Sequence, residues 1–254
     1  EHFFDGYKAN ADYAMACVRA ASEAGADSID LCETNGGALP HEVEAVVAAV
    51  ARELPGQQLG IHCHNDSGCA VANSLAAVRA GATQVQGTVN GFGERVGNTD
   101  LLTVVADLEL KMGCTCVGEE RLRDLTSVAQ FVAETCNLSV PNHHPYTGAS
   151  AFAHKGGLHA SAIARFPEAY EHTRPEAVGN TQRMLVSELA GKASLIAKAK
   201  NLGIDLAQHP DKTQEILDDI KRREAVGYSY EVVDGSPALL PQWNIGEYPP
   251  HFTQ

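Results

Sequence analysis

The stretch Ala24-Gly25-Ala26-Asp27-Ser28-Ile29-Asp30-Leu31-Cys32 decides the fold. Upstream of it, the residues from Asp12 to Ala24 place Tyr13, Cys17, Ala20 and Ala24 on one helical face, and Gly25 suits the left-handed turn that closes a helix. SIDLC follows at once as a strand. The same joint recurs at Ala80-Gly81-Ala82, where a helix from about Ala70 to Ala80 ends and TQVQGTV reads as a strand. Between the two joints lie a helix from about His41 to Leu54, rich in Val and Ala, and the strand LGIHC after Pro55-Gly56. Strands near residues 28, 59 and 84 are spaced as βα units are in a parallel α/β fold. The opening residues, EHFFDGY, read as the exit of a strand into a loop.

After Thr88 comes a Gly-rich loop and a helix from about Thr99 to Met112, and there the βα rhythm stops. The remainder predicts a helix from about Glu119 to Cys136, a loop rich in Pro, Asn and His from Asn137 to Gly148, and helical stretches around 192–203 and 211–224. The tail from Asp234 to Gln254, with four prolines and the single Trp, reads as irregular or disordered. These features divide the chain into an α/β part over 1–113, a helical linker and subdomain over 114–228, and an irregular tail over 229–254.

The chain has 254 residues, 44% of them hydrophobic, enough to bury a sizeable core. Its 19 Lys plus Arg against 32 Asp plus Glu give a formal charge of -13, which disfavours nucleic acid and anionic membrane as partners. A small-molecule substrate is the better expectation. No stretch approaches the roughly 20 apolar residues of a membrane span, and no basic region followed by an apolar run opens the chain, so a cytoplasmic protein is expected. The seven cysteines form no CxxC pair, and reduced thiols are the simplest reading.

The chemistry centres on His62-Cys63-His64 at the end of a predicted strand. Side chains two apart point the same way, so both imidazoles converge, and His is a common ligand for divalent metals. Two of eleven histidines spaced by chance would look the same. Asn65-Asp66 follow directly, and after the next strand comes Asn90-Gly91-Phe92-Gly93-Glu94-Arg95-Val96-Gly97-Asn98. Its third glycine falls one residue too late for GxGxxG, and an acidic residue stands where phosphate would sit, so a dinucleotide loop is not expected. Asn98 offers a neutral oxygen beside the His pair; a tight turn ended by an Asn cap is the alternative. Asp66 and Glu94 are candidates to orient an imidazole or Arg95 from behind the ligands, and a solvated salt bridge fits them equally.

The order ETNG, HCHND, GFGERVGN and HKGGLH, at these intervals, resembles the acyltransferase family of isopropylmalate, homocitrate and citramalate synthases, whose barrel also serves HMG-CoA lyase. The resemblance covers about residues 1–228. Within it EHFFDGYKAN, TNGGALP, QVQGTVNGFGER and VSELAGK are most similar to the citramalate branch. It implies an α/β chain that is the C-terminal part of a TIM (β/α)8 barrel, about strands 6–8, followed by a helical subdomain. On this reading the N-terminal half of the barrel is missing.

The family's metal ligands fall on His62, His64 and Asn98, for a divalent Mg, Mn or Zn. Its fourth ligand, an Asp on the first strand, and its catalytic Arg lie outside this chain. The 2-oxo-acid contacts fall on Thr34 and on Glu1, the acidic residue after the fifth strand; Glu33 stands where the family usually has Asp. His159 and Tyr170 match a helical-subdomain pair that in related enzymes reaches the active site from the partner subunit of a homodimer. Without the resemblance, GGLH followed by ASAIAR is an ordinary helix start. With Glu1, these two form the implied catalytic set.

The implied reaction is the Claisen-type condensation of acetyl-CoA, the co-substrate, with a 2-oxo acid. Pyruvate would give citramalate, on the way to isoleucine. The alternatives are a 2-isopropylmalate synthase of leucine biosynthesis, a carbon–carbon lyase of the HMG-CoA lyase kind, or an inactive fragment. That lyase's loop carries a reactive Cys, and GFGERVGN has none. The family's regulatory domain is not expected here, since the pattern ends after about Gly235.

Overall fold

A computed structural model describes residues 2–154, 162, 166, 170–184, 192–201, 203–228 and 240–242. The chain divides into two compact units, one of residues 1–141 and 145–147 and the other of 142–144 and 148–254.

The first unit is mixed α/β. It opens with helices α1 (Phe3–Ala9) and α2 (Ala11–Glu23), then alternates β1 (Ser28–Glu33), α3 (Pro40–Glu53), β2 (Gln58–Cys63), α4 (Ala70–Arg79), β3 (Gln84–Gln86) and α5 (Leu101–Leu110). The strands form one parallel sheet in the order β1-β2-β3. Register runs from Ser28 beside Gln58 to Glu33 beside Cys63, and from Gly60 beside Gln84 to His62 beside Gln86. Each helix crosses back over the sheet and buries its apolar stripe there: Val43, Val47 and Val50 of α3 and Ala70 and Ala77 of α4 pack with Ile29, Leu31, Leu59, Ile61 and Cys63. Alternation along β1 and β2 therefore leaves Asp30, Cys32, His62 and His64 on the opposite face.

Three elements differ from the sequence reading. From Phe3 onward the opening stretch is not a loop, because Phe3–Ala9 is helical. Phe3 meets Tyr7 one turn on, with centroids 5.9 Å apart, and Phe4 is buried, so aromatic contacts at helical spacing support the helix. On α2 the buried residues are Ala14 and Val18, while Tyr13 is 70% exposed. Tyr13 and Cys17 border a groove of about 270 Å³ with Phe3 and Leu31. The helix expected over 119–136 is two, α6 (Glu119–Leu122) and α7 (Leu125–Thr135), broken so that both Leu122 and Leu125 are buried.

The second unit contains a two-residue parallel pair, Ala153–His154 with Arg183–Met184, and helices Lys192–Asn201 and Pro210–Ala225. Leu195, Ala199, Ile204, Leu206, Ile216, Leu217, Ile220 and Leu240 form its core. Apart from 240–242, which are helical, the tail lies outside the described residues. No helix among the described residues is long and apolar enough to cross a membrane.

Candidate active site

The carboxyl ends of the three strands carry the loops that build the site, as in other parallel α/β proteins. β1 runs into Thr34-Asn35-Gly36-Gly37, β2 into His64-Asn65-Asp66, and β3 into the glycine-rich turn 87–98.

Glu33 ends β1 on the helix-facing side and is only 1% exposed. Its Oε1 accepts from the backbone N–H groups of Gly37 at 2.9 Å and Ala38 at 3.2 Å, which shapes the loop bearing Thr34. Burial raises its pKa, against the lowering effect of those two donors. Glu33→Ala strands two backbone donors and is expected to cost about 1–3 kcal/mol of stability, measured by urea unfolding. Glu33→Gln keeps the acceptor and is expected to lose much less. A carboxyl whose folded pKa lies above its unfolded value favours folding when protonated, and that contribution fades as pH rises through the folded pKa. Glu33→Gln should therefore flatten the decline of stability with rising pH over that window.

Thr34 lies one residue past β1. Its Oγ1 accepts from the backbone N–H of His2 at 2.9 Å, which leaves its own O–H to donate. Its carbonyl accepts from Arg95 Nη2 at 2.7 Å, and Arg95 also grips both carboxylate oxygens of Asp66 at 2.7 and 2.9 Å. One guanidinium thus ties together the loops after all three strands. The fork geometry of Arg suits this bidentate contact, and Arg95 holds the Asp66 carboxyl below the usual range. Gly36 makes the fit possible, since a Cβ there would fall 2.3 Å from Asp66 Oδ2. Glu94 lies exposed on the same turn as Arg95.

His62 and His64 bring their rings to a centroid separation of 5.3 Å, tilted by 47°. Cys63 between them points into the core, where burial first and the Glu33 charge second push its thiol up to about 12. It is an inert packing group. His64 pairs through its backbone with Asn98. Burial, followed by the Arg95 charge, lowers the His64 pKa and favours the neutral imidazole.

Asn98 is not the helix cap. Asp100 caps α5, with its carboxylate accepting from Leu102 N and Thr103 N at 3.2 Å each. The Asn98 amide donates instead to Phe92 O at 3.2 Å. Its Oδ1 is buried without a hydrogen-bond partner among the described residues, and so is His64 Nδ1. Two orphaned polar atoms on paired residues, beside a second imidazole, fit a bound cation. The candidate donor atoms are N, N and O, with no carboxylate. Among the described residues no group of three or more His, Cys, Asp or Glu comes together as a metal site.

Tyr170 is exposed in the second unit. Nearby His154 approaches Glu171, Nε2 to Oε1, at 3.5 Å. Glu1 and His159 lie outside the described residues. One contact had no counterpart in the reading of the sequence: Gln86 Oε1 lies 3.2 Å from His62 Nδ1. The repeated QxQ of Gln84-Val85-Gln86 is its only visible signal.

Fold and site define a class first: a parallel α/β protein that displays two imidazoles and a carboxamide at the carboxyl edge of its sheet. Residues 3–132 match the HMGL-like family model and residues 146–227 the homocitrate synthase post-HMGL domain-like model, and the chain belongs to the HMGL-like family. It is similar to the (R)-citramalate synthase of Streptomyces coelicolor, with 56% identity over 240 residues, covering 94% of this chain and 45% of that protein. It is similar to the (R)-citramalate synthase of Geobacter sulfurreducens, with 50% identity over 253 residues, covering 100% and 48%. A homocitrate synthase of Saccharolobus solfataricus is 35% identical over 228 residues, covering 90% and 48%. The chain spans about half the length of the curated relatives it matches.

Proposed function

We propose that the protein containing this chain condenses acetyl-CoA with a 2-oxo acid, that the acceptor is pyruvate, and that the product is citramalate. The observation that carries the chemistry is the pair of orphaned buried atoms, His64 Nδ1 and Asn98 Oδ1, beside His62. The choice of acceptor rests on the fall in identity from 56% and 50% for the two citramalate synthases to 35% for the homocitrate synthase.

In this reading β1, β2 and β3 are the sixth to eighth strands of a TIM barrel, whose active sites form at the carboxyl ends of the strands. His62, His64 and Asn98 hold a divalent metal, Mg, Mn or Zn. Such a cation supplies Lewis acidity at the carbonyl of a bound 2-oxo acid. Thr34 donates its hydroxyl to the substrate carboxylate, since its oxygen already accepts from His2. Arg95, bonded to Asp66 and to the Thr34 carbonyl, keeps Thr34 and His64 in one frame.

Glu1, His159 and Tyr170 are assigned to proton transfer, with His suited to accept or relay a proton near neutral pH. In the balanced reaction a proton leaves the acetyl methyl group, that carbon bonds the keto carbon as the carbonyl π pair moves onto the keto oxygen, which takes up a proton, and one water hydrolyses the thioester with release of CoA. Burial lowers the His64 pKa and keeps this imidazole a neutral donor. In this reading the enzyme is a cytoplasmic homodimer, with isoleucine as the end product.

The test is CoA release by the full-length protein from acetyl-CoA with Mg²⁺ or Mn²⁺. Pyruvate is expected to be the best acceptor. Preference for a branched five-carbon 2-oxo acid would move the protein to the isopropylmalate branch, and cleavage of 3-hydroxy-3-methylglutaryl-CoA would make it a lyase. The 254-residue chain by itself is expected to release little CoA, because its ligand face holds no carboxylate among the described residues and hard cations favour one. Robust release by the chain alone would place the whole apparatus within it.

A further inference from the structure

Gln84 and Gln86 stand two apart on β3, so both lie on the face of the sheet that carries His62, while Val85 packs against the core on the other side. The parallel register aligns two rows across that face. One row is Asp30, Gly60 and Gln84; the next, toward the carboxyl ends, is Cys32, His62 and Gln86.

In the first row the middle strand has no side chain, and the glutamine spans it. Gln84 Nε2 donates to Asp30 Oδ1 at 3.1 Å, and a Cβ on Gly60 would lie only 1.7 Å from that oxygen. In the second row an imidazole fills the middle, and the glutamine stops at it, with Gln86 Oε1 3.2 Å from His62 Nδ1. A neutral imidazole has one N–H and one lone pair, and whatever engages one ring nitrogen decides what the other offers.

We propose that Gln86 is a positioning residue for the metal face. Its carboxamide oxygen accepts from Nδ1–H of His62, which keeps the Nε2 lone pair available and sets the ring's rotation against His64. This inference rests on the reading of His62, His64 and Asn98 as metal ligands. A carboxamide does this without adding charge, so the site keeps its N, N, O character.

The experiment is a Mn²⁺ titration of the metal-free full-length protein, with the free aquo ion followed by EPR. Gln86→Leu preserves bulk and removes the acceptor; Gln86→Glu preserves the acceptor. Gln86→Leu is expected to weaken Mn²⁺ binding about 10- to 100-fold, the usual consequence of losing a ligand's outer partner. Gln86→Glu is expected to bind at least as tightly as the parent. Gln86→Met replaces Gln86→Leu if leucine impairs folding, judged by circular dichroism. A purely space-filling glutamine predicts the opposite pattern, so equal affinity of parent and Gln86→Leu, or equal weakening by Leu and Glu, overturns the proposal. A parent protein that binds no Mn²⁺ overturns the metal reading itself, and is distinguished by that from a failure of Gln86 alone.

Discussion

His62→Ala and Asn98→Ala are each expected to abolish metal-dependent turnover of the full-length protein, with losses on the order of 1000-fold or more. The magnitude follows from the several kcal/mol that a Lewis acid contributes at a developing alkoxide, at one factor of ten per 1.36 kcal/mol. Each variant removes a different kind of donor from one face. His62 is held by Gln86 at 3.2 Å, and Asn98 has its amide nitrogen on Phe92 O and its oxygen without a partner among the described residues. Neither change should unfold the protein, because neither side chain belongs to the apolar core on the helix side of the sheet. The check is kcat at saturating Mn²⁺ alongside the thermal midpoint. A parent-like rate in either variant removes that residue as a ligand.

Gly97→Ala is expected to weaken metal binding strongly without removing a candidate donor atom. Gly97 has φ +105°, outside the range that L side chains readily adopt, and a Cβ there would fall 2.1 Å from the carbonyl oxygen of Gly91. Backbone strain alone costs about 1–3 kcal/mol, and the clash is with main chain, which cannot swing aside. The loop must open. Gly97 O accepts from Asn65 N at 3.0 Å, and the next residue's N–H bonds Gly91 O at 3.0 Å, so the movement reaches both sides of the ligand face. Gly25→Ala is the control: φ is +89°, but nothing lies within 4 Å of a Cβ there. It should lower stability and leave Mn²⁺ affinity unchanged, whereas Gly97→Ala should lower affinity by about 10- to 100-fold.

The strands were legible because each helix-to-strand joint repeats a local signal. Gly25 and Gly81 both adopt positive φ after a helix, and in each case two further residues lead into the strand, β1 from Ser28 and β3 from Gln84. The histidine pair was legible because period two is a property of any strand. The face of α2 was not: alanine fills so many of its positions that Tyr13, Cys17 and Val18 compete to define the stripe, and only packing against β1 selects Ala14 and Val18.

Glu33 shows the limit more sharply. An acidic residue at a strand end invites a catalytic reading, yet alternation puts it with Ile29 and Leu31 under the helices, where it caps a loop. The contact from Gln86 to His62 depends on the register between β2 and β3, which no local pattern encodes. That Asn98 is not the cap depends on Asp100 taking it, a choice between two polar residues two apart that sequence preferences do not separate.

The most direct test of the central claim is product identity. The full-length protein is supplied with acetyl-CoA labelled with ¹³C at the methyl carbon, unlabelled pyruvate and Mn²⁺, and the products are read by ¹³C NMR. The prediction is label in the methylene carbon of citramalate, formed with one CoA per product and lost in His62→Ala. Absence of a labelled carbon–carbon product, or citramalate formed equally well by His62→Ala, would contradict it.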